Sequence, residues 1–194
     1  MLKNSSIFDD KLNVNKSNDI ELNKQIPSVR YFTFQGNYTL DCLRDSGCFS
    51  STIDNDTYRE CLFKDILGKD GLVYYSVYKD LKFLKDIYNP NLGENLIELD
   101  ASKLPNERIE MTVKDFDKIE YELIKGYNDL NSLLGRQPTD NELFEYAYDT
   151  LGYDKEFCLK PKDFDDSNKK FGVMSCLKKD MIKKVYKDFA YKQS

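Results

Sequence analysis

The stretch Thr112–Leu134, with the sequence TVKDFDKIEYELIKGYNDLNSLL, predicts the strongest helix of this chain. Thr112, followed three residues later by Asp115, is similar to the residue pair that caps a helix. A stripe sustained over about six turns indicates a helix packed against a neighbouring element, and we interpret it as an ordinary core face. The apolar residues of the stripe recur at steps of 3, 4, 4, 3 and 4, and they are Phe116, Ile119, Leu123, Tyr127, Leu130 and Leu134.

The residues that follow predict a tight joint between two helices. Gly135 suits the left-handed conformation that ends a helix, and Pro138 keeps Gln137 out of helical geometry. Thr139 can then cap a second helix, with Glu142 as the reciprocal partner three residues later. These residue types together account for a helix-turn-helix joint.

The segment LLGRQPTDNEL, at Leu133–Leu143, resembles the L-G-R-x-P-T joint in region 3 of bacterial sigma factors, and the later LGYDKEF echoes a second helix end. The resemblance covers about 20 of the 194 residues and implies contact with promoter DNA. However, Thr139–Asp154 carries five acidic residues and no lysine or arginine. Because DNA affinity depends on neutralising phosphate charges, this segment is predicted to be a structural joint rather than a nucleic-acid reader.

The amino-terminal part of the chain predicts an arm and one strand. Residues 1–27 combine Asn, Ser and balanced charges with scattered apolar positions, which is typical of an extended or mobile arm. VRYFTF, at Val29–Phe34, has the composition of a strand. The next segment, YTLDCLRDSG, suits either the second strand of a hairpin or a short helix that ends at Gly47.

Periodicity predicts two further helices before the long one. The first begins near Asp56 and ends at Gly68, and its apolar face comprises Tyr58, Cys61, Leu62 and Ile66. The second covers Gly71–Tyr88, although its first half has the composition of a strand. Its apolar residues recur at steps of 4, 4, 3 and 4, and they are Val73, Val77, Leu81, Leu84 and Tyr88.

The remaining segments predict two strands, a loop and a last helix. Leu96–Leu99 and Arg108–Val113 have strand patterns, and the polar stretch Lys160–Lys170 is typical of a loop. A basic amphipathic helix is predicted at the carboxyl end, with an apolar face of Met174, Leu177, Met181, Val185 and Phe189. The sequence therefore predicts an α-rich α+β fold, with about five helices and a small sheet in a single globular domain over residues 28–194.

The residue types exclude several chemistries. The chain has no histidine, so imidazole acid–base catalysis and histidine-ligated metal sites are excluded. It contains neither of the glycine-rich phosphate-binding motifs, and we predict no cofactor. Five cysteines without a C-x-x-C pair indicate buried free thiols. The 34 acidic residues leave a metal-dependent carboxylate enzyme open, but the acidic run Asp163–Asp166 is interpreted as a solvated loop.

Charge is unevenly distributed along the chain. Residues 174–194 carry a net charge of +4 within a chain of net charge -5, so residues 1–173 carry -9. The predicted partner-binding residues are the lysines of this basic end, namely Lys178, Lys179, Lys183, Lys184 and Lys187. The same lysines also suit a solvated helix end.

We expect a non-enzymatic protein that binds other proteins or takes part in an assembly. Fourteen Tyr and twelve Phe suit protein interfaces, and the Lys-, Asn- and Ile-rich composition suggests an AT-rich coding genome such as that of a phage or virus. An acidic inhibitor or a nucleic-acid regulator is the first alternative. No apolar run has the roughly 18 residues of a membrane span, and a cytoplasmic or virion location is expected.

Overall fold

The structure, a computed structural model, describes residues 29–51, 56–79 and 93–189. Within these ranges the chain forms five α-helices and eight β-strands, which confirms the predicted α+β fold class. No helix of the described ranges is long and apolar enough to cross a membrane. The predicted arm at residues 1–27 lies outside the described residues, and the single domain over residues 28–194 stays a prediction.

Six strands form one antiparallel sheet in the order β5-β6-β3-β1-β4-β8, and β2 pairs with β7 in a small second sheet. Three of the strands, β1, β4 and β5, confirm the three predicted ones. The sheet is larger than predicted because β3, β6 and β8 lie where the sequence predicted helices or loop. The strands are β1 (Arg30–Gln35), β2 (Cys48–Phe49), β3 (Val73–Tyr78), β4 (Asn95–Leu99), β5 (Ile109–Thr112), β6 (Lys169–Met174), β7 (Leu177–Lys178) and β8 (Ile182–Tyr186).

Most helices begin and end at the positions that their capping residues predicted. The ambiguous segment after β1 is helix α1, and glycines in the left-handed conformation end α2 and α3, with φ of 62° at Gly68 and 66° at Gly135. A π-helical turn, Ala147–Leu151, continues α4, and 3₁₀ turns cover Ala101–Lys103 and Lys179–Met181. The α-helices are α1 (Asn37–Asp45), α2 (Tyr58–Leu67), α3 (Val113–Leu134), α4 (Asp140–Tyr146) and α5 (Lys155–Leu159).

The predicted helix over Gly71–Tyr88 is wrong in the part that the structure describes. Strand β3 occupies this position and buries Val73, Tyr75 and Val77. A spacing of four residues is a multiple of the two-residue repeat of a strand, so Val73 and Val77 fit both kinds of element. The β-branched and aromatic composition of VYYSVY favours the strand. The rest of the predicted helix, residues 80–88, lies outside the described residues.

The predicted basic amphipathic helix at the carboxyl end is also wrong. Its span contains the end of β6, then β7, the 3₁₀ turn Lys179–Met181 and β8. Leu177, Met181 and Val185 are buried at intervals of four residues because each of three successive short elements buries one of them. A strand, a turn and a second strand thus reproduce the spacing of a helix.

The chain divides into two compact units. Of the described residues, the first unit contains 29–49, 75–79, 93–104 and 176–189. One of its clusters is largely aromatic, and Phe32, Tyr78 and Leu96 in it are at most 1% exposed. Helix α1 buries Leu40 and Leu43 in the same unit.

The second unit contains residues 50–51, 56–74 and 105–175 of the described part. Its core is centred on α3, which buries Phe116, Ile119 and Leu123 of the predicted stripe. The guanidinium of Arg59, in α2, lies 3.7 Å from the ring centroid of Phe116. The stripe weakens towards the end of α3, where Leu134 is 40% exposed.

Helices α3 and α4 approach closely at Gly126, a buried residue of α3. A Cβ atom built on Gly126 would lie 2.4 Å from Cε1 and 2.8 Å from Cδ1 of Tyr146. These distances are shorter than carbon–carbon contact allows, so the ring of Tyr146 occupies the space that a side chain at position 126 would need.

We expect Gly126→Ala to lower the free energy of unfolding, although alanine favours a helix interior by about 1 kcal/mol over glycine. Overpacking typically costs about 1–3 kcal/mol, which outweighs that gain. In a Tyr146→Ala background the same substitution should become stabilising, because the ring is gone. Urea denaturation of the four proteins measures both signs. A stabilising effect in both backgrounds would show that the contact imposes no constraint.

Candidate interaction edge at strand β8

The five lysines proposed from the sequence lie in β7, in the 3₁₀ turn Lys179–Met181, in β8 and in the turn after β8. Lys178 is in β7, opposite Cys48 of β2, and the amide of Lys179 donates to the carbonyl oxygen of Gly47 at 2.9 Å. Lys183 and Lys184 belong to β8, and Lys187 is exposed in the turn that follows. The structure therefore places Lys183 and Lys184 together on one strand but not on the predicted helix.

Strand β8 lies at one end of the sheet order, and its only strand partner within the described ranges is β4. The register shifts at Lys183, because Glu98 is opposite Lys184 while Leu99 is opposite Ile182. Lys183 is thus the extra residue of a β-bulge. A bulge redirects the side chain that it carries, and here it turns Lys183 towards the face that bears Glu98.

Glu98 is the centre of a polar cluster that joins three strands. The Nε and Nη2 atoms of Arg30, in β1, donate to its two carboxylate oxygens at 2.8 Å and 2.6 Å. The Nζ atom of Lys183 donates to Oε1 at 3.3 Å, and the hydroxyl of Tyr186 lies 3.5 Å from Oε2. The Glu98 side chain is 4% exposed, whereas that of Lys183 is 62% exposed.

The cluster holds Glu98 in its ionised form. Burial alone would raise the pKa of the Glu98 carboxyl, but hydrogen bonds and positive charge from Arg30 and then Lys183 outweigh burial and lower it. The pKa of Arg30 is raised in turn, because its contact with Glu98 outweighs its own desolvation. Both groups are therefore charged at neutral pH.

Cations outnumber carboxylates at this edge. Lys184 lies directly opposite Glu98, and its Nζ atom is 4.7 Å from the ring centroid of Tyr186. Arg30, Lys183 and Lys184 therefore face one buried carboxylate, a net charge of +2. Among the described residues, the carboxylate of Asp100 also lies near Lys183. Lys103 lies near Asp100 as well and balances its charge, so the surplus is unchanged. The surplus positive charge is the property of this edge that a partner can recognise.

Sequence reasoning missed Arg30, Glu98 and Tyr186. A signal was present at Glu98, because it is an acidic residue inside the strand NLIEL, all five residues of which are buried. A buried carboxylate is almost always paired, so its presence predicts a nearby cation without saying which.

The sigma-like joint is confirmed as a capped turn between α3 and α4. The Thr139 hydroxyl and the Glu142 carboxylate form a reciprocal capping box. Arg136 donates from Nη1 and Nη2 to the two oxygens of Glu142 at 2.9 Å and 2.7 Å. The arginine of the LGRQPT motif is thus engaged by the neighbouring helix start, which supports the structural interpretation.

The carboxylates of the described residues do not have the geometry of a metal site. Within residues 29–51, 56–79 and 93–189, no group of three or more Cys, Asp or Glu side chains is arranged to hold a metal ion. In the acidic run, Asp165 accepts hydrogen bonds from the backbone amide and hydroxyl of Ser167 at 2.8 Å and 2.6 Å. These are the contacts of a turn, as the loop interpretation predicts.

All five cysteines are free thiols. Only Cys158 is fully buried, and burial raises the pKa of its thiol to about 12. Cys48 is exposed, so the prediction of buried thiols is wrong there. Cys176 lies between β6 and β7 rather than inside a helix, because the predicted last helix does not form.

An open cleft of about 540 Å³ in the second unit is lined by Asp65, Tyr148, Asp154 and Lys155, among others. The Tyr148 hydroxyl donates to the Asp65 carboxylate. Burial, and then this hydrogen bond, raise the pKa of Tyr148, so its phenol stays protonated at neutral pH. Asp154 caps α5 by accepting from the Phe157 amide at 2.8 Å. Two of the lining carboxylates thus have structural roles.

Comparisons of the chain with protein-family models, curated proteins and solved structures found no match. Function is therefore inferred from the geometry and charges of the chain itself.

We expect Glu98→Gln to lower the free energy of unfolding at neutral pH by about 3 kcal/mol, because it leaves the partly buried guanidinium of Arg30 without a counter-charge. Lys183→Ala should cost less than about 1 kcal/mol, since that lysine is mostly in water. Urea denaturation measures both. Equal stability of Glu98→Gln and the unsubstituted protein would contradict the assigned role of the cluster.

The Arg136 contact predicts a pH effect. Hydrogen bonds from Arg136, and then from the Thr139 amide, lower the pKa of Glu142 to about 2. A lowered folded-state pKa contributes stability above the unfolded value of about 4.3, and this contribution is lost as the pH falls towards 2. Carboxyl NMR titration of Arg136→Ala should show the Glu142 pKa returning towards 4.3, with Lys118→Ala as an unaffected control. An unchanged pKa in Arg136→Ala would refute the contact.

Proposed function

We propose that this chain is a non-enzymatic protein that binds other proteins, or assembles with them, through the lysine-bearing edge at β8. The observation that carries the proposal is the surplus charge of +2 around Glu98 on a strand whose only partner within the described part of the chain is β4. A patch of one charge sign on a sheet edge favours the approach of a partner with the opposite charge.

A protein partner is favoured over a nucleic acid for two reasons. The only arginine of the cluster, Arg30, donates to Glu98, and it is therefore not available for the two-pronged phosphate contacts that arginine makes best. In addition, the net charge of the whole chain is -5, which opposes the approach of a polyanion. An acidic surface on a protein has a lower charge density, and local lysines suffice to meet it.

The distribution of charge agrees with a local basic site. Among the described residues, the first unit has nine Lys and Arg against seven Asp and Glu, and the second unit has 13 against 20. The net charges are thus +2 and -7. Among the described residues, the unit that contains β8 is therefore the one with a net positive charge.

The test compares two double variants of the full chain. Lys184→Gln with Lys187→Gln removes two positive charges at the edge without touching the Glu98 hydrogen bonds, and Lys114→Gln with Lys125→Gln removes two exposed lysines of α3. We expect partners recovered from source cells with the unsubstituted protein to bind the edge variant about tenfold more weakly, which is about 1.4 kcal/mol. The α3 variant should bind as the unsubstituted protein does.

Quantitative pulldown and light scattering after size-exclusion chromatography provide the measurement. A monomer without a stable partner, or partners whose binding is equally weakened by both variants, would argue against the proposal.

A further inference from the structure

The two edge strands of the six-stranded sheet differ in their backbone hydrogen bonds to segments outside the sheet. At β5, the amide of Lys162 donates to the carbonyl oxygen of Glu110 at 3.3 Å, so a neighbouring segment already contacts that edge. At β8, all the strand pairing within the described ranges is with β4, on one side. A strand paired on one side presents unpaired amide and carbonyl groups on the other.

The side chains of β8 sort by face. Register with β4 places Lys184 and Tyr186 on the face of Glu98 and Leu96, and places Ile182 and Val185 on the face of Leu99 and Ile97. The bulge adds Lys183 to the first face. One face of the edge is therefore cationic, and the other is apolar.

We propose that β8 accepts an extended segment of an acidic partner protein as an additional strand, with acidic side chains on the lysine face and apolar side chains on the face of Val185. The proposal rests on the function proposed above and specifies its binding mode. Strand addition lets the backbone supply affinity while alternate side chains supply specificity. The surplus charge of +2 selects acidic residues at the alternate positions.

The energies of ion pairs and of association indicate that backbone hydrogen bonds must contribute to binding. Exposed ion pairs contribute only about 0.2–1 kcal/mol each, and association costs several kcal/mol in lost freedom. Two or three lysines are therefore too weak to hold a partner by side-chain contacts alone. Hydrogen bonds along the five residues of β8 provide the additional attraction.

A second copy of β8 is a poor occupant of the same edge. Antiparallel pairing of IKKVY with itself about a twofold axis places Lys184 opposite Lys184, or Lys183 opposite Lys184. Like charges directly opposite each other in a sheet are destabilising. The lysines thus disfavour self-pairing and favour an acidic strand, which is how edge charges set specificity.

The experiment uses the full chain and a capped eight-residue peptide of alternating Glu and Val as the probe. The matched control is the same peptide with N-methyl groups on alternate amides, which keeps its charge but removes the donors along one side. We expect the first peptide, at millimolar concentration, to shift the amide NMR signals of Ile182–Tyr186 and to slow, at least tenfold, the hydrogen exchange of those amides that do not face β4. Added salt should weaken this binding.

Either set of alternate amides can carry the methyl groups, which gives two control peptides, the two N-methyl registers. We expect the one that lacks the donors facing β8 to bind at least tenfold more weakly than the unmethylated peptide. Lys184→Gln with Lys187→Gln should weaken binding of the unmethylated peptide, and Lys114→Gln with Lys125→Gln should not.

Three results would overturn strand addition: equal binding of the peptide and both N-methyl registers, salt-sensitive shifts without slowed exchange, and binding of oligothymidylate in place of the peptide. The first two leave an electrostatic protein interface, so the proposed function stands while its binding mode fails. The proposed function fails separately if the pulldown recovers no partner whose binding depends on Lys184 and Lys187.

Discussion

Removing a carboxylate from water costs several kcal/mol unless cations and hydrogen-bond donors surround it, and Glu98 is only 4% exposed. Its partners come from two other strands, with Arg30 in β1 and Lys183 in β8. A shift of either neighbouring strand by one residue would turn these partners to the opposite face and leave the charge unpaired. The carboxylate therefore specifies the register of β1, β4 and β8 together, and with it the positions of the lysines at the edge.

The second unit, with a net charge of -7 in its described residues, accommodates acidic residues in another way. Phenol groups donate hydrogen bonds to three of its carboxylates, so neutral donors help to solvate these charges. In each of these contacts burial is the largest cause of a raised tyrosine pKa, and the carboxylate adds to it, so the phenol stays a donor at neutral pH. The pairs are Tyr74 with Glu60, Tyr148 with Asp65 and Tyr153 with Glu122.

Local signals in the sequence predicted those elements whose ends are marked by caps. Gly135 and the Thr139 capping box were sufficient for the α3–α4 joint, and alternation was sufficient for β5. Spacing failed at Val73 and Val77, and again over Leu177–Val185, because four-residue steps fit a helix, a strand or a strand interrupted by a turn. Pairing between distant segments resolves that ambiguity, and a single sequence does not display such pairing.

The candidate site was predictable only in part for the same reason. Clustered lysines were visible in the sequence, but their geometry depends on Glu98, which is more than 80 residues away from Lys183 along the chain. Neither Arg30 nor Tyr186 has a local sequence signal that joins it to that carboxylate. The site is a property of strand order, and strand order is set by long-range hydrogen bonding and burial.

Because of the bulge at Lys183, the pairing of β8 with β4 depends on the number of residues in β8. Deleting Lys183 would restore regular pairing with β4, but Glu98 would lose its contact with that lysine and keep only Arg30 of its two hydrogen-bonded cations. An inserted residue would instead rotate Val185 and Tyr186 out of the interior. Related chains are therefore expected to preserve the count of residues between Met181 and Val185.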